Sequence, residues 1–520
     1  MATPTRFAVL DLGSTTFQLL VADAEADGSL TPVLRDRVVL NLGRTLAEEA
    51  RIPDDVIGRA AETARRLKDI AARTGADHLI PLATSALRDS PNRVELEGLF
   101  EGAIGTAVRF IDGREEARLT FAGIAASVAL GQGATLLLDL GGGSLEVALA
   151  DGEGLRWGRS LPVGAGRLTG LLVSNDPPTR EERRAVRAAV EEAVATLVPD
   201  AEAAGPVRCI ASGGTAGALA RVLAAERWGT PPASLNQFEL SVAELRDLTR
   251  DLSSLPLDER LRVPGVDERR AELLPTGGWI LTAAAASLGV KRFIHSEWGL
   301  REGAVFDALG LAGGPAPAPE DLRRRSVDRL VRAWGEDPVH VEMVARIATR
   351  LFDDTEPLHG LGASERELLD HAACLHEIGA RVSPARLHKH GAYLIENAGL
   401  RGFDPDRVAV LASLVRFSRG KDPRPVYAPF AELPDEEQDA VVVMTGLLRV
   451  AHAIARGPEG ERLAAAAQVR DREIRIRVSG SANPDAAVAE ARQASSLLER
   501  ALERRVRVDS VLPTEAIRSA

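Results

Sequence analysis

Short apolar segments alternate with longer amphipathic segments over the first 310 residues of the chain. The short segments are bounded by glycine, proline and polar residues, as buried strands commonly are. In the longer segments apolar residues recur every three or four positions, which is typical of helices packed on one face. The predicted strands are 7–10, 19–23, 30–39, 78–83, 107–111, 134–138, 145–150, 155–161 and 207–211, and the predicted helices are 56–71, 91–102, 114–130, 179–197, 215–225, 241–252 and 268–287. This alternation predicts an α/β fold.

Two glycine-containing turns connect pairs of predicted strands at corresponding places in this region. The segments DLGSTT (11–16) and DLGGGS (139–144) each follow one apolar strand and precede another. The repeated unit of strand, turn and strand suggests an internal duplication. Ligands of α/β proteins bind where strand ends and loops converge, so we expect a ligand between the two halves.

The sequence pattern changes after residue 310. The segment 311–320, LAGGPAPAPE, is rich in small residues and proline and predicts a linker. The chain is then predicted to be helical to about 465, with tail strands at 473–478 and 505–511 and one helix at 484–505. We therefore expect four domains, at 1–130, 131–310, 321–465 and 466–520.

The composition and the net charge of the chain argue against several classes of protein. The net charge of −11 argues against general nucleic-acid binding, which usually requires a basic domain. The cysteines, Cys209 and Cys374, are far apart in apolar segments, so we expect neither a disulfide framework nor a cysteine metal site. The N-terminal segment lacks the pattern of a signal peptide, and no 18-residue apolar run is free of charge. We therefore expect a cytoplasmic protein with no membrane partner.

The glycine loops are candidate phosphate-binding sites. Glycine lets backbone N–H groups approach a phosphate closely, and neighbouring hydroxyls add further donors. A third loop, at 211–215, opens a predicted helix whose N-terminus favours an anion. Each loop taken alone could be an ordinary turn or cap, but their occurrence together favours phosphate binding. The candidate phosphate-binding residues in these loops are Gly13, Ser14, Thr15, Gly141, Gly142, Gly143, Ser144, Gly213 and Gly214.

Charged residues near the loops are the remaining candidates. An aspartate at a strand end, such as Asp11, can hold hydrated Mg²⁺. Arg88 follows a predicted strand and could bind phosphate through its forked donors, although a single arginine is usually a surface charge. Glu115 and Glu116 begin a predicted helix, where the helix dipole favours ionised carboxylates that accept protons from water. Without other evidence, such glutamates would be a solvated helix face.

The ordered segments DLGSTTFQLLVA, ATSALRD, DGREEARL, LDLGGGSLEVAL, ASGGTAGALA and SEWGLREGAV resemble the exopolyphosphatase and guanosine pentaphosphate phosphohydrolase (Ppx/GppA) family over residues 7–305. The resemblance implies two actin-like, sugar-kinase-like (RNase H-like) subdomains with a central cleft. It implies that Glu116 is the catalytic base and that Asp139 and Glu146 hold the metal and order the water, and Asp11 joins them as a candidate metal ligand from its position at a strand end. It also implies that Ser14, Arg88 and 141–144 grip phosphate. Thr15-Thr16 stand where the family commonly has Asn-Ser, and Gln18 replaces a frequent histidine.

Residues 321–465 resemble the all-α HD-like domain of long family members, followed by a small α+β tail domain. The central pair is His376-Glu377, His452 stands where an aspartate is expected, and Ser418 replaces a histidine. Because an HD site needs converging His and Asp ligands, we predict a nonhydrolytic scaffold with structural or surface histidines. These histidines are His340, His376, His388 and His390. The basic residues Arg381, Arg386, Lys389, Arg416, Arg419, Lys421 and Arg424 either extend a polyanion track or form a solvated face.

The expected activity is removal of the terminal phosphate of inorganic polyphosphate, with Mg²⁺ or alternatively Mn²⁺ as cofactor. Hydrolysis of guanosine pentaphosphate is an alternative, because both substrates present a terminal phosphoanhydride. An ATP-dependent kinase of the same fold and a noncatalytic polyphosphate or alarmone sensor are alternatives from other classes. We also expect a homodimer, and no specific nucleic-acid partner.

Overall fold

The computed structural model describes residues 4–131, 133–205, 208–335, 337–456, 463–480 and 484–511. The chain folds into two compact units, Met1–Leu322 and Arg323–Ala520. The boundary between them lies just after the predicted linker at 311–320. The first residue of the predicted strand at 207–211 falls outside the described residues, as does part of the segment predicted to be helical to 465.

The first half of the N-terminal unit is a five-stranded sheet with helices. Its strands are β1 Thr5–Leu12, β2 Thr16–Ala24, β3 Leu30–Val39, β4 His78–Ala83 and β5 Arg109–Phe110, and its helices are α1 Leu42–Glu49, α2 Asp54–Arg73, α3 Ser85–Arg88, α4 Arg93–Ile104 and α5 Gly113–Ala125. The strand order is β3-β2-β1-β4-β5. Strands β1 to β3 form an antiparallel meander, while β4 pairs parallel with β1. The carboxyl ends of β1 and β4 therefore lie at one edge of the sheet.

The second half repeats this arrangement. Its strands are β6 Thr135–Leu140, β7 Leu145–Asp151, β8 Gly154–Leu161, β9 Arg208–Ser212, β10 Glu239–Ser241 and β11 Arg292–His295, and its helices are α6 Ala165–Leu172, α7 Arg180–Val194, α8 Val198–Ala204, α9 Gly214–Trp228, α10 Val242–Ser254, α11 Leu257–Arg260, α12 Leu274–Ser287 and α13 Leu300–Ala308. The order is β10-β11-β9-β6-β7-β8, with β6 to β8 antiparallel and β9 parallel to β6. This repetition matches the duplication expected from the two motifs.

The last helix of this unit, α13, returns to the first half. Residues of α13 pack in one apolar cluster with β1 and β2, and α13 also packs against α5. A Cβ on Gly303 would lie 1.7 Å from the carbonyl oxygen of Leu119, so only glycine permits this helix contact. The contact fixes α5, which carries Glu116.

The C-terminal unit combines helices with a small sheet. Its helices are α14 Pro319–Trp334, α15 Pro338–His359, α16 Ala363–Leu375, α17 Leu387–Asn397, α18 Pro405–Phe417, α19 Ala428–Ala431, α20 Asp435–Ala455, α21 Asp485–Ala494 and α22 Ser496–Leu502, and its strands are β12 Ala464–Val469, β13 Glu473–Ser479 and β14 Arg505–Val511. The helices and the sheet share one hydrophobic core. The break suggested at about residue 465 therefore lies inside one packed unit.

Helix α20 is long and apolar enough to cross a membrane by length and composition, but 72% of its apolar window is buried within the protein. This burial is typical of the central helix of a helical core. Cys209 and Cys374 are both free and buried.

Several predicted elements needed correction. Helix α12 begins at Leu274 rather than 268, because Pro275 favours the first helical turn. The helix predicted at 484–505 is two helices, α21 and α22. The alanine-rich segment β12 is a strand because it forms an antiparallel hairpin with the next strand, β13, and this pairing overrides the helix propensity of alanine.

Candidate active site

The three glycine loops of the N-terminal unit line one cleft of about 110 Å³. The first two loops come from the β1-β2 and β6-β7 hairpins, and the third lies between β9 and α9. The lining residues include Asp11, Gly13, Ser14, Thr15, Gln18, Thr84, Ser85, Glu116, Asp139, Gly141, Gly142, Gly143, Ser144, Glu146, Gly213, Gly214 and Arg270. All the predicted site residues except Arg88 therefore line one cavity.

The two hairpin turns use the same backbone hydrogen bond. The Gly13 N–H donates to the carbonyl oxygen of Thr16 at 3.2 Å, and the Gly141 N–H donates to that of Ser144 at 3.0 Å. The duplication therefore extends from the strand order to the bonding of the turns.

The first two loops touch each other through glycines. A Cβ on Gly142 would lie 1.8 Å from Thr15 Oγ1, and a Cβ on Gly143 would lie 2.3 Å from both Ser14 Oγ and Ser85 Oγ. Any larger residue would push the loops apart, because such separations lie far inside van der Waals contact. Close packing of the two halves is thus a reason for the glycine run, in addition to access for a phosphate.

The Ser14 hydroxyl is already engaged within the protein. Its Oγ accepts a hydrogen bond from the Ala86 N–H at 3.0 Å and lies 2.8 Å from Ser85 Oγ. These bonds join the first loop to the start of α3. Because these bonds fix the loop, its backbone would already be in position when a phosphate binds here.

Three carboxylates from the two halves meet in the cleft. Asp11 ends β1, and Asp139 on β6 pairs across the sheet with Glu146 on β7. Asp11 and Glu146 are buried, and Asp11 Oδ1 has no hydrogen-bond partner within the described residues. Gln18 Nε2 donates to the other Asp11 oxygen at 3.4 Å. A buried, unpaired carboxylate oxygen is costly without a ligand, so this group is suited to a cation.

The pKa values of these acids reflect their crowding. Burial, followed by repulsion from Asp139, raises the pKa of Glu146 to about 7, while the Ser160 hydroxyl donates to its Oε1 at 2.7 Å. Burial raises the pKa of Asp11 to about 6, although Arg301 partly opposes this. Burial also raises the pKa of Asp139, opposed by a hydrogen bond from Ser212. A divalent cation would relieve the repulsion and favour the ionised forms.

Glu116 lies in the first turn of α5 and faces the same cleft. Asp112 caps this helix by accepting from the Glu115 N–H at 2.8 Å. Burial, followed by repulsion from Glu146, raises the pKa of Glu116 well above its usual range, while Arg88 opposes the shift. Glu115 instead forms an ion pair with Arg109. The structure thus places Glu116 in the cleft and Glu115 in an ion pair outside it, a difference that the sequence pattern did not show.

Arg88 holds Glu116 in position. Its Nη1 donates to Glu116 Oε2 at 2.9 Å and to the Ile111 carbonyl oxygen at 3.1 Å, and its Nε donates to Asp89 at 3.0 Å. Arg88 is not among the described residues that line the cleft. In this structure its contacts orient a carboxylate, whereas the sequence suggested a direct grip on phosphate.

Arg270 is a cleft residue that sequence reasoning missed. Its Nη1 lies 3.5 Å from Thr215 Oγ1, beside the third glycine loop. Burial, with the nearby Arg37, lowers the pKa of Arg270 to about 10, so it stays protonated near neutral pH. In the segment DERRAE nothing distinguishes Arg270 from the exposed Arg269. Only the tertiary structure identifies Arg270 as a cation of the cleft lining.

Three histidines of the C-terminal unit lie together in a cluster that the sequence did not predict. His340, His376 and His452 converge with Glu377, and their potential ligand atoms all lie within 4.8 Å of one another. Burial lowers the pKa of His376 to about 4 and that of His452 to about 2. His388 and His390 lie outside this group and are partly exposed. The sequence predicted structural or surface histidines and did not anticipate this arrangement, which forms because folding brings distant segments together.

Comparisons with known proteins agree with this architecture. Residues 20–312 match the Ppx/GppA phosphatase family, and residues 322–492 match Ppx/GppA phosphatase, domain III. The chain is similar to a crystal structure of an Aquifex aeolicus member of the Ppx/GppA protein family, at 26% identity and a TM-score of 0.50 over 59% of this chain and 97% of that chain.

Two further solved structures are similar. An exopolyphosphatase-like protein is 27% identical with a TM-score of 0.52, and the match covers 59% of this chain and 98% of that chain. An exopolyphosphatase from Cytophaga hutchinsonii ATCC 33406 is 24% identical with a TM-score of 0.54, over 59% of this chain and 98% of that chain. At this identity the last similarity shows the fold alone.

Proposed function

Because the chain belongs to the Ppx/GppA phosphatase family, we propose that it hydrolyses the terminal phosphoanhydride bond of inorganic polyphosphate. The observation that carries this proposal is the cleft in which glycine loops from both halves meet four acidic side chains. Such a site combines donors for phosphate oxygens with oxygen ligands for a cation. The likeness to an exopolyphosphatase-like protein supports polyphosphate as the substrate class.

The loops bind and orient the terminal phosphates in this proposal. Backbone N–H groups of glycine loops and the Arg270 guanidinium supply donors at the walls of the cleft. Phosphoryl transfer depends mainly on placement and on stabilisation of charge, and the tight Gly142 contact holds the two walls at a fixed separation. No side chain of the protein therefore needs to attack the phosphorus, and water can be the nucleophile.

Glu116 is the proposed general base. Its raised pKa makes its carboxylate a stronger proton acceptor than that of an ordinary glutamate. The hydrogen bond from Arg88 fixes the orientation of the carboxylate and favours its ionised form. Glu116 would take the proton from water as the water attacks the terminal phosphorus in line.

Asp11, Asp139 and Glu146 are the proposed metal-binding residues. Mg²⁺ prefers oxygen ligands, and Mn²⁺ accepts the same donors. Asp11 Oδ1, which has no hydrogen-bond partner among the described residues, and the raised pKa values of Asp11 and Glu146 fit a binding site for a cation. When bound, the cation would neutralise charge on the phosphate oxygens.

The C-terminal unit is proposed to act as an HD-like scaffold in this reaction. All residues assigned to catalysis above lie between Asp11 and Arg270, within the N-terminal unit. The proposed chemistry therefore requires no side chain from the helical unit.

The deciding experiment is phosphate release from long-chain polyphosphate and from guanosine pentaphosphate, each with and without Mg²⁺. We expect Mg²⁺-dependent release from polyphosphate at the higher kcat/KM. A higher kcat/KM for guanosine pentaphosphate would replace the proposed substrate with the alarmone. Tight binding of polyphosphate without any release would instead identify a sensor and refute the proposed hydrolysis.

A further inference from the structure

A second group of ligand-type side chains lies inside the C-terminal unit and has no role in the proposed phosphohydrolysis. His340 lies in the first turn of α15, His376 and Glu377 follow α16, and His452 lies near the end of α20. His376 and His452 are buried, and Glu377 is about a quarter exposed, at 28% of its side chain. The cluster therefore joins α15, α16 and α20 at a position that is mostly buried from solvent.

The orientation of His376 is that of a metal ligand. Its Nδ1 lies 2.7 Å from the Ala373 carbonyl oxygen, which can only accept, so Nδ1 carries the proton. The unprotonated Nε2 consequently points at the cluster. Metal-bound histidines are typically fixed in this way, by a backbone carbonyl that holds the other ring nitrogen.

The separations between ligand atoms suit a tetrahedral ion. Two ligands at about 2.0–2.1 Å from a tetrahedral Zn²⁺ lie about 3.3–3.4 Å apart. His376 Nε2 is 3.0 Å from His452 Nδ1, and Glu377 oxygens are 3.8 Å from His340 Nε2 and 3.9 Å from His376 Nε2. These three distances are close to the tetrahedral value, but the ligand atoms of the whole group lie only within 4.8 Å of one another, so metal binding also requires the side chains to move closer together.

Arg419 contacts two members of the cluster. Its Nη2 donates to Glu377 and lies 3.1 Å from His452 Nε2. Arginine can only donate, so His452 Nε2 accepts and His452 Nδ1 carries the proton, which it donates to His376 Nε2. A metal bound by His452 Nδ1 would require that proton to leave or move to Nε2. The proton would then face Arg419, so the guanidinium must withdraw.

From this geometry we propose that His340, His376, Glu377 and His452 form a Zn²⁺ site that Arg419 occupies in competition with the metal. Three imidazoles and one carboxylate favour Zn²⁺ over Mg²⁺, which prefers oxygen ligands. Four protein ligands leave no open position, which is the arrangement of a structural zinc site. The site would link α15, α16 and α20. Arg419 is one-third exposed, at 33% of its side chain, and can turn toward solvent.

The test is Zn²⁺ titration of the metal-stripped full chain in excess Mg²⁺, which occupies oxygen-ligand sites. We expect one tight equivalent in the unchanged protein and an affinity at least about 100-fold lower in His376→Ala and Glu377→Gln. His390→Ala, a histidine of the same unit outside the cluster, should bind as the unchanged protein does. Arg419→Met should bind Zn²⁺ more tightly, because the competing guanidinium is gone.

Circular dichroism and thermal unfolding complete the test. Zn²⁺ should raise the unfolding temperature of the unchanged protein and of His390→Ala, but not that of His376→Ala. Glu377→Gln preserves the hydrogen bond from Arg419 and provides a folded variant should His376→Ala unfold. Equal Zn²⁺ affinity in Glu377→Gln and the unchanged protein would overturn the proposed ligand set. The absence of a tight equivalent in the unchanged protein would overturn the site itself, and Arg419→Met binding no more tightly would overturn the competition.

Discussion

Replacing Glu116 by glutamine is the sharpest test of the proposed mechanism. The change removes the proton acceptor but keeps the size of the side chain. The glutamine Oε1 can still accept the 2.9 Å hydrogen bond from Arg88 Nη1. Arg88 also keeps its bonds to the Ile111 carbonyl oxygen and to Asp89. The local structure should therefore survive the substitution.

The expected loss of activity follows from the role of a general base. Loss of such a base lowers kcat by about 10²–10⁴-fold, which corresponds to about 2.7–5.5 kcal/mol of transition-state stabilisation. The free energy of unfolding should change by no more than about 1 kcal/mol, the net value of one typical hydrogen bond. The variant should thus be folded and nearly inactive.

The assay is steady-state phosphate release from polyphosphate at saturating Mg²⁺, together with its pH profile. Glu115→Gln is the matched control, because Glu115 is the adjacent residue on α5 and pairs with Arg109 away from the cleft. In the unchanged enzyme, activity should fall as pH decreases and Glu116 is protonated. A Glu116→Gln enzyme with kcat near that of the Glu115→Gln control would refute the assignment of the base.

Three further outcomes are expected. Gly142→Ala places a Cβ 1.8 Å from Thr15 Oγ1 and should cost about 1–3 kcal/mol of unfolding free energy in urea titrations, whereas Gly133→Ala, with open space around it, should not. In metal-free protein the folded state keeps a proton on Glu146 from its ordinary pKa of 4.5 up to about 7, so the free energy of unfolding should fall as pH rises through this window. Added Mg²⁺ should reduce this fall. Denaturation at pH 5 and pH 8, with and without Mg²⁺, measures the fall and the effect of the metal. Arg260→Met removes the hydrogen bonds that Arg260 donates to three carbonyl oxygens and should destabilise the protein by about 3–5 kcal/mol in the same titrations. A loss under about 1 kcal/mol would contradict the burial argument.

Much of the fold was predictable because its signals are local. Strands β3 and β4 have the bounds that the apolar pattern predicted, and both hairpin turns lie where the glycine motifs placed them. Turn residues and apolar periodicity act within a few positions along the chain, so they are visible in a single sequence. Strand β12 was missed, because its alanines do not show a strand pattern and only pairing with the next strand, β13, decides its conformation.

The sequence by itself determined the α/β class, the duplicated hairpins and the acidic and glycine residues that the cleft brings together. The tertiary structure alone decided that Arg270 faces the third loop, that Arg88 holds Glu116, and that His376 meets His452 from 76 positions away. The physical reason is that residue type and spacing fix local conformation, whereas desolvation, charge pairing and ligand geometry depend on groups far apart in the chain. The motifs of this protein therefore supply the residues of the site, and tertiary packing brings those residues together.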